Sequence, residues 1–386
     1  MATIKQYSKK DGTKRWMFKT YLGINSVTGK QDTAMRRNFA TRREAKAAME
    51  RVKVQYQNGE LACQQQSNGD LFQEVFDLWK ENYEYTVKES TFVKTVEQFK
   101  VHVLPEFGHK SMSSITVADV QKFINRKAKT YVKFRDLKID IARIFEYAIT
   151  LGIVDSNPAE KISIPRKVEK IDKVERKNYY SRDELKEFLK LCYEQQPFHI
   201  FMFFQLLSAS GCRRGEILAL EWCNVDFENQ CIHIKQNLAR GKDRRLYLDY
   251  PKTRHSKRTI SLDLETMKYL DQWRSLQRQE MLKLGFNTLS NKNQLVFANQ
   301  NNSFIQLSKP RTWMLQNVKK NNLREITVHG FRHTHATLLL EAGVAPKVIS
   351  ERLDHASIQI TLDLYSHVTE KMETEVPNVF AKVMRD

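Results

Sequence analysis

The spacing of apolar residues divides the first sixty positions into three short strands and a helix. Residues 4–7, 15–23 and 33–39 are rich in aromatic and β-branched side chains and are separated by Asp-Gly and Thr-Gly turns. Both features are typical of antiparallel hairpins. Thr41 and Glu44 then form a capping-box pattern ahead of an alanine-rich stretch, which predicts a helix.

Residues 70–165 carry apolar side chains at helical spacing and are predicted to be helical throughout, with one break at residues 104–108 around a proline. The positions that carry this prediction are Leu71, Val75, Phe76, Leu78, Trp79, Ile139, Ile141, Ile144, Phe145 and Ala148. Residues 64–69 are polar, and residues 166–177 are charged with mixed sign and no apolar stripe. Both segments are interpreted as linkers.

After the second linker, Ser181 and Glu184 form another capping box and helices dominate again. Residues 232–234, 245–248 and 258–262 interrupt them and are predicted to form a small antiparallel sheet. The chain of 386 residues is therefore predicted to be an α+β, multidomain protein.

Charge narrows the class of partner. The net charge is +19, and residues 1–60 contribute 14 lysines and arginines against five acidic residues. Such an excess attracts polyanions, of which nucleic acid is the commonest in cells. Charge alone leaves open a ribosomal protein or a merely basic one.

The cysteines and the apolar stretches indicate in which cellular compartment the protein works. The five cysteines are scattered and never spaced as C-x-x-C, so neither a disulfide framework nor a zinc site is expected. The first residues lack the apolar run of a signal peptide, and no uncharged apolar stretch is long enough for a membrane span. We therefore expect a cytoplasmic protein.

Four segments combine basic and aromatic side chains, whereas the motifs of serine hydrolases, P-loop enzymes and zinc proteases are absent from the sequence. The segments are centred on Arg213, on Lys252, on His329 with Arg332, and on His355 with Tyr365. The first is predicted to be a glycine turn that leads into an apolar helix with Arg213 at its start. On a helix, His329 and Arg332 would share one face and could approach one target together. Arginine forks can bind the oxygens of a phosphodiester, and a tyrosine can attack its phosphorus. A lysine can protonate the departing oxygen, and histidines can bind phosphate or accept a proton.

Each of these assignments has a rival in the sequence. Arg214 adjoins Arg213, and Lys252 competes with a group of nearby basic residues. These are Arg254, Lys257 and Arg258. His333 and His335 share the segment of Arg332 and are expected to serve packing rather than catalysis.

The order and spacing of these residues resemble the signature of the tyrosine recombinase (phage integrase) family. The matching positions are Arg213, Lys252, His329, Arg332, His355 and Tyr365, with Glu216 and His367 in supporting positions. The resemblance implies that Tyr365 is the nucleophile and that neither a cofactor nor a metal is required. It covers residues 180–370 on motifs, and extends to the rest of the chain on pattern and charge.

The resemblance also implies three domains: an arm-site DNA-binding domain at 1–62, a helical, SAM-like core-site-binding domain at 68–165, and a catalytic domain with a C-terminal tail at 178–386. The implied partners are double-stranded DNA with core and arm attachment sites and further copies of the chain in a homotetramer. A host DNA-bending protein and an excisionase are further candidates. The implied activity is integration and excision of a phage or mobile element through a Holliday junction. A type IB topoisomerase and a catalytically silent DNA-binding regulator stay open as alternatives.

Two features are left undecided by the resemblance. The family usually has Leu-Gly-His where this chain has Leu353, Asp354 and His355, and the Asp354 carboxylate is expected to face solvent or cap the next helix. Residues 366–386 carry an apolar stripe at helical spacing. This tail is expected to dock on a neighbouring copy, with packing on its own domain as the alternative.

Overall fold

The computed structural model describes residues 3–8, 14–24, 31–57, 71–165, 177–250, 257–289, 291–355, 357–365 and 384. The strands are β1 (Thr3–Ser8), β2 (Lys14–Ile24), β3 (Gln31–Phe39), β4 (Val225–Asp226), β5 (Cys231–Ile234), β6 (Asn237–Arg240), β7 (Leu246–Asp249) and β8 (Arg258–Ser261). The helices are α1 (Arg42–Gln57), α2 (Phe72–Thr86), α3 (Glu89–Gln98), α4 (Leu104–Phe107), α5 (Val117–Thr130), α6 (Phe134–Thr150), α7 (Arg182–Gln195), α8 (Phe198–Ser210), α9 (Arg214–Leu218), α10 (Leu264–Lys283), α11 (Lys309–Lys320), α12 (Gly330–Glu341), α13 (Pro346–Leu353) and α14 (Ile358–Tyr365).

The chain divides into two compact units. The first comprises Met1–Trp79, Val103–Phe123 and Ile141–Ile162, and the second comprises Lys80–His102, Ile124–Asp140 and Ser163–Asp386. The predicted linkers, at 64–69 and 166–177, lie outside the described residues except for Lys177, so the predicted domain boundaries stay a prediction.

The first sixty residues form the predicted three strands and helix. The strands make one antiparallel sheet in the order β1-β2-β3, and α1 packs on it over the buried Phe18, Ala45 and Met49. The predicted capping box is confirmed, because Glu44 N donates to Thr41 Oγ1 at 3.2 Å and Thr41 N donates to Glu44 Oε2 at 3.3 Å. Among the described residues of this segment few side chains are fully buried, and most of the basic ones are exposed.

The segment 71–165 is helical, as predicted. In the first unit, aromatic rings fill the space between its helices, and Phe72 contacts both Phe107 and Phe145. The predicted apolar face was partly wrong, because Leu78 and Ile139 are exposed. A periodicity of 3.6 residues leaves such flanking positions ambiguous when the apolar stripe is wide.

The predicted break around Pro105 falls later than expected. Residues Phe99–Val103 form a π-helical turn, and α4 continues it to Phe107. Proline lacks an N–H and its ring crowds the preceding turn, so a wider turn before it removes the conflict without ending the helix.

The core of the second unit is built around α8, which is buried on nearly all sides. The unit also contains two small sheets, β4-β5-β8 and β6-β7, both antiparallel. We predicted one small sheet, and the strands β4 and β6 were missed. The α+β, multidomain prediction is confirmed. Among the described helices, none is long and apolar enough to cross a membrane.

Candidate active site

Arg213 is placed by the turn that ends α8. Gly211 caps this helix with a φ of 64°, in the left-handed region where glycine is favoured. A Cβ on Gly211 would lie 2.5 Å from Leu353 Cδ2 and 2.7 Å from His335 Cδ2, so a larger residue would force these side chains to shift. Arg213 follows at the start of α9. The predicted glycine turn with an arginine at the helix start is confirmed.

The Arg213 guanidinium is held by two carboxylates and one carbonyl. Its Nη1 donates to Glu216 Oε1 and to Asp354 Oδ2, both at 3.0 Å, and its Nη2 donates to the Asp354 carbonyl at 2.7 Å. The expectation that Asp354 faces solvent or caps the next helix was wrong. Asp354 is the left-handed C-cap of α13, with a φ of 56°, and at that position its carboxylate and its carbonyl both reach Arg213.

Glu216 joins Arg213 to a second arginine. Arg258 donates to both Glu216 oxygens, at 3.1 and 2.7 Å, and the two side chains are 10% and 7% exposed. Burial by itself raises the pKa of Glu216, but the bonds and charges of Arg258 and Arg213 outweigh it and hold that pKa below its usual value. Glu216 is therefore an ionised bridge between two cations, as its predicted supporting role requires.

Arg332 reaches the same turn from α12. It is 2% exposed, and its guanidinium donates to the Gly211 carbonyl at 3.1 Å and to the Leu353 carbonyl at 2.5 Å. Burial and the neighbouring charge of Arg213 lower the pKa of Arg332 to about 10, which still leaves it cationic at neutral pH. Arg213 and Arg332 thus bind the carbonyls of consecutive residues, Asp354 and Leu353.

His355 directly follows the turn that the two arginines hold. Its Nδ1 lies 2.8 Å from Thr361 Oγ1, and Thr361 is fully buried on α14. Burial and the charges of Arg332 and Arg213 lower the pKa of His355 to about 4. The imidazole is therefore neutral at pH 7 and can accept a proton or a hydrogen bond.

His329 precedes the first turn of α12, and its ring packs edge-to-face on His333 at 4.8 Å. Although its surface is open to solvent, partial desolvation and the charges of His333, Arg332 and Arg213 lower the pKa of His329 to about 4. Like His355, it is neutral at pH 7. His329 is the N-cap residue of α12 and Arg332 lies in its first turn, and their joint approach to one phosphate stays a prediction.

The other histidine of this helix, His335, has a structural role. Its Nδ1 lies 2.8 Å from the Ser208 carbonyl, and its Nε2 accepts from Arg352 Nε at 3.1 Å. Both ring nitrogens are thus engaged, as expected for packing. Arg352 also donates to the carbonyls of Ala209 and Ser261 and ties α13 to α8 and β8.

For the remaining predicted residues, Tyr365, Lys252 and His367, the structure describes at most the backbone. Tyr365 is the last residue of α14, a helix that packs against α12 and α13, and its side chain lies outside the described part. Lys252 and His367 lie outside the described residues, as does most of the tail. β7 leads toward Lys252, and its end is held by Lys88, whose Nζ donates to Asp249 Oδ1 and to the Tyr250 carbonyl, each at 2.8 Å.

Three residues whose roles sequence reasoning did not predict complete the site: Arg258, Arg352 and Asp354. Arg258 had been considered only as a phosphate-binding rival of Lys252, and its bonds to Glu216 assign it to positioning. Nothing in the local sequence distinguishes the two arginines from ordinary surface charges. The contacts that identify all three roles join residues 17 to 141 positions apart.

Two cavities open beside Arg213. One of about 490 Å³ is lined by Arg213, Arg214, Arg311, Glu325 and His329, among others, so that three arginines face one carboxylate and the lining is net positive. The other, of about 210 Å³, is lined by Lys88, Arg213, Glu216, Asp249 and Asp354, among others. The three arginines along the first cavity could contact the phosphates of a polyanion. Arg214 lines it together with Arg213, so it lies near the site without taking part in the turn that Arg213 and Arg332 hold.

Comparison with protein families decides the class. The profile of the phage integrase family matches residues 178–372, just over half of the chain, and that of the N-terminal SAM-like domain of phage integrases matches residues 71–128. This chain belongs to the phage integrase family. It is a tyrosine recombinase, an enzyme of site-specific DNA recombination.

Individual relatives agree with that assignment. A XerC-like tyrosine recombinase of Caldanaerobacter subterraneus subsp. tengcongensis is 28% identical over 378 residues, which cover 92% of this recombinase and 94% of that protein. The Tn1549 transposon integrase, solved with a circular intermediate DNA, superposes with a TM-score of 0.65 at 19% identity, over 79% of this chain and 99% of that one. A lambda integrase tetramer bound to a Holliday junction gives 0.57 at 14% identity, over 93% and 94%. At such identities the two structures support the fold.

Proposed function

We propose that this recombinase breaks a DNA strand by attack of Tyr365 on a phosphodiester held by Arg213 and Arg332, and rejoins strands by the reverse step. The observation that carries the proposal is the shared turn. Two arginines from separate helices bind consecutive carbonyls at 2.7 and 2.5 Å, and His355 follows at once. A rigid pair of guanidinium groups is suited to stabilise charge that develops on phosphate oxygens.

The chemistry is a pair of substitutions at phosphorus. The phenolic oxygen of Tyr365 forms a bond to phosphorus while the bond from phosphorus to the 5′ oxygen breaks. This leaves a 3′-phosphotyrosine and a 5′ hydroxyl. Lys252 donates the proton that the departing oxygen needs, and a neutral histidine, His329 or His355, accepts the phenolic proton. In the second step, a 5′ hydroxyl attacks the phosphotyrosine and releases Tyr365.

The proposed nucleophile is tested with a nicked DNA substrate from which the cleaved fragment diffuses away, so that a covalent complex accumulates. Tyr365→Phe removes only the hydroxyl, and we expect DNA binding to remain and the SDS-resistant complex to disappear. Tyr85→Phe is the matched control, because Tyr85 is highly exposed on α2. A covalent complex in Tyr365→Phe would assign the nucleophile elsewhere, and none in the wild type would favour a silent DNA-binding regulator.

The proposed acid is tested separately. Lys252→Ala should slow cleavage by roughly 10²–10⁴-fold, the usual contribution of a positioned general acid. A substrate with sulfur at the bridging 5′ position needs no proton on departure and should restore the rate of the variant. An equal defect on both substrates would assign Lys252 to another role.

We also propose that the chain acts on core and arm attachment sites as a homotetramer, through a Holliday junction, and integrates and excises a mobile element. Two structural neighbours support this proposal: the Tn1549 transposon integrase was solved with a circular intermediate DNA, and lambda integrase as a tetramer bound to a Holliday junction. A host DNA-bending protein and an excisionase are proposed as further partners. Supercoil relaxation without recombination between two sites would instead favour a topoisomerase activity.

The tail belongs to the same proposal, and it lies outside the described residues apart from Met384. We propose that residues 366–386 dock on a neighbouring copy. Val379→Asp combined with Phe380→Asp should preserve folding and binding to one site but block the joining of two sites, measured by native gel electrophoresis. Unfolding of this variant would show that the tail packs on its own domain.

A further inference from the structure

The contact between Asp354 and Arg213 places a negative charge where the proposed function requires a phosphate. Arg213 Nη1 has two N–H groups, and they donate to Glu216 Oε1 and Asp354 Oδ2, both at 3.0 Å. Nη2 donates to the Asp354 carbonyl at 2.7 Å. A phosphodiester that binds Arg213 through both terminal nitrogens needs the donor that Asp354 now occupies.

The two carboxylates on Arg213 differ in how firmly they are held. The Glu216 side chain is 7% exposed, accepts from Arg213 N at 2.8 Å, and is bound by both terminal nitrogens of Arg258. The Asp354 side chain is 33% exposed, and within the described part of the chain its carboxylate hydrogen-bonds no group other than Arg213. Glu216 is therefore fixed, whereas Asp354 can exchange Arg213 for water.

Space and charge both favour this exchange. The cavity of about 210 Å³ beside Arg213 is lined by the Asp354 side chain, so the carboxylate can turn without moving α13. A phosphate oxygen near Arg213 would lie beside the Asp354 carboxylate, and two negative charges at that distance repel in a partly buried site. The Asp354 carboxylate is thus an anion within the basic site that a phosphate could displace from Arg213.

We propose that Asp354 competes with the scissile phosphate for Arg213 and thereby sets the affinity of the active site for that phosphate. The inference rests on the proposed function, in which Arg213 binds the scissile phosphate. It assigns to Asp354 the opposite effect from Glu216: the buried carboxylate positions Arg213, and the exposed one must leave before cleavage. Glycine, the usual residue of the family at this position, would have no such effect.

The experiment compares Asp354→Asn and Asp354→Gly with the wild type in single-turnover cleavage of the nicked substrate, over a range of DNA concentrations. Asparagine keeps the size of the side chain and tolerates the left-handed conformation, and glycine favours that conformation. Both variants should cleave faster at sub-saturating DNA, by roughly tenfold, the equivalent of one charged hydrogen bond.

Two controls isolate the charge at this position. Glu351→Gln removes a carboxylate from the exposed surface of the same helix and should leave the rate unchanged. A substrate whose scissile phosphate is replaced by a neutral methylphosphonate removes the repulsion between the two anions. The gain in Asp354→Asn should therefore shrink on that substrate.

Each result bears on the proposal. A gain in both variants that is confined to the charged phosphate supports it. Slower cleavage would show that Asp354 orients Arg213, and an unchanged rate or an equal gain on both substrates would show that no competition occurs. Each of these outcomes overturns the proposal. Failure of the wild type to form any covalent complex is a separate result and concerns the proposed function alone.

Discussion

The basic residues of the N-terminal sheet and those of the active site are arranged in opposite ways. In the first region, Lys19, Arg43 and Lys46 lie exposed on β2 and α1, over a small core formed around Phe18. In the second region, Arg332 is 2% exposed and its guanidinium is bound by two backbone carbonyls. Positive charge is thus exposed on the surface in the N-terminal region, whereas in the active site it is buried and held by hydrogen bonds.

Exposed and buried cations can do different things with a bound phosphate. Exposed cations can neutralise many phosphates, release counterions and give affinity that depends strongly on salt. Buried cations keep a fixed direction and can stabilise charge on one phosphate as it develops, without reorganisation. We therefore expect the N-terminal residues to govern binding and the buried arginines to govern the rate of cleavage.

The largest effect should come from the buried arginine. Arg332→Lys keeps the charge but loses the planar fork that serves the Gly211 and Leu353 carbonyls. Single-turnover cleavage should fall by roughly 10²–10³-fold, as for loss of one preorganised donor, while DNA affinity is retained. Arg278→Lys, at an exposed position of α10, is the matched control and should behave as wild type. A parallel loss of affinity in Arg332→Lys would remove the distinction between the two regions.

A smaller effect, confined to binding, is expected from the exposed set. Lys19→Gln, Arg43→Gln and Lys46→Gln together should reduce the slope of log affinity against log salt by about 0.9 for each phosphate contact that is lost. Cleavage of a short core site at saturating DNA should be unchanged. Fluorescence anisotropy at several salt concentrations gives the slope.

The matched control removes three charges from exposed lysines of the second unit, Lys283, Lys292 and Lys319, by the same change to glutamine. The control shares the altered net charge, so a difference between the two triple variants reports position rather than charge. Equal slopes in the two variants would contradict a dedicated N-terminal contact.

The smallest effect concerns stability and pH. Burial and the charge of Arg352 lower the pKa of His335 to about 4, compared with about 6.5 in an unfolded chain. Between these values the unfolded chain binds a proton that the folded protein does not, so stability falls as the pH falls from about 6.5 to about 4. Urea unfolding of His335→Asn should show a smaller loss of stability over this range. An unchanged loss would show that His335 does not contribute to it.

Sequence reasoning went furthest where the signal is local. The capping boxes at Thr41 and Ser181 were correct, because their two partners are three positions apart. So was the glycine turn before Arg213, because left-handed backbone has few alternatives. The direction of the Asp354 side chain was predicted wrongly, since it depends on Arg213, 141 positions away. The role of Arg258 was not predicted for the same reason, because its partner Glu216 lies on another element of the fold.

The central claim, that this recombinase joins itself to DNA through Tyr365, is tested most directly by locating the bond. The covalent complex formed on the nicked substrate is digested with protease and nuclease, and the modified peptide is identified by mass spectrometry. We expect a nucleotide attached through phosphate to Tyr365 and to no other residue. A modified serine or another tyrosine, in a complex that forms at the wild-type rate, would contradict it.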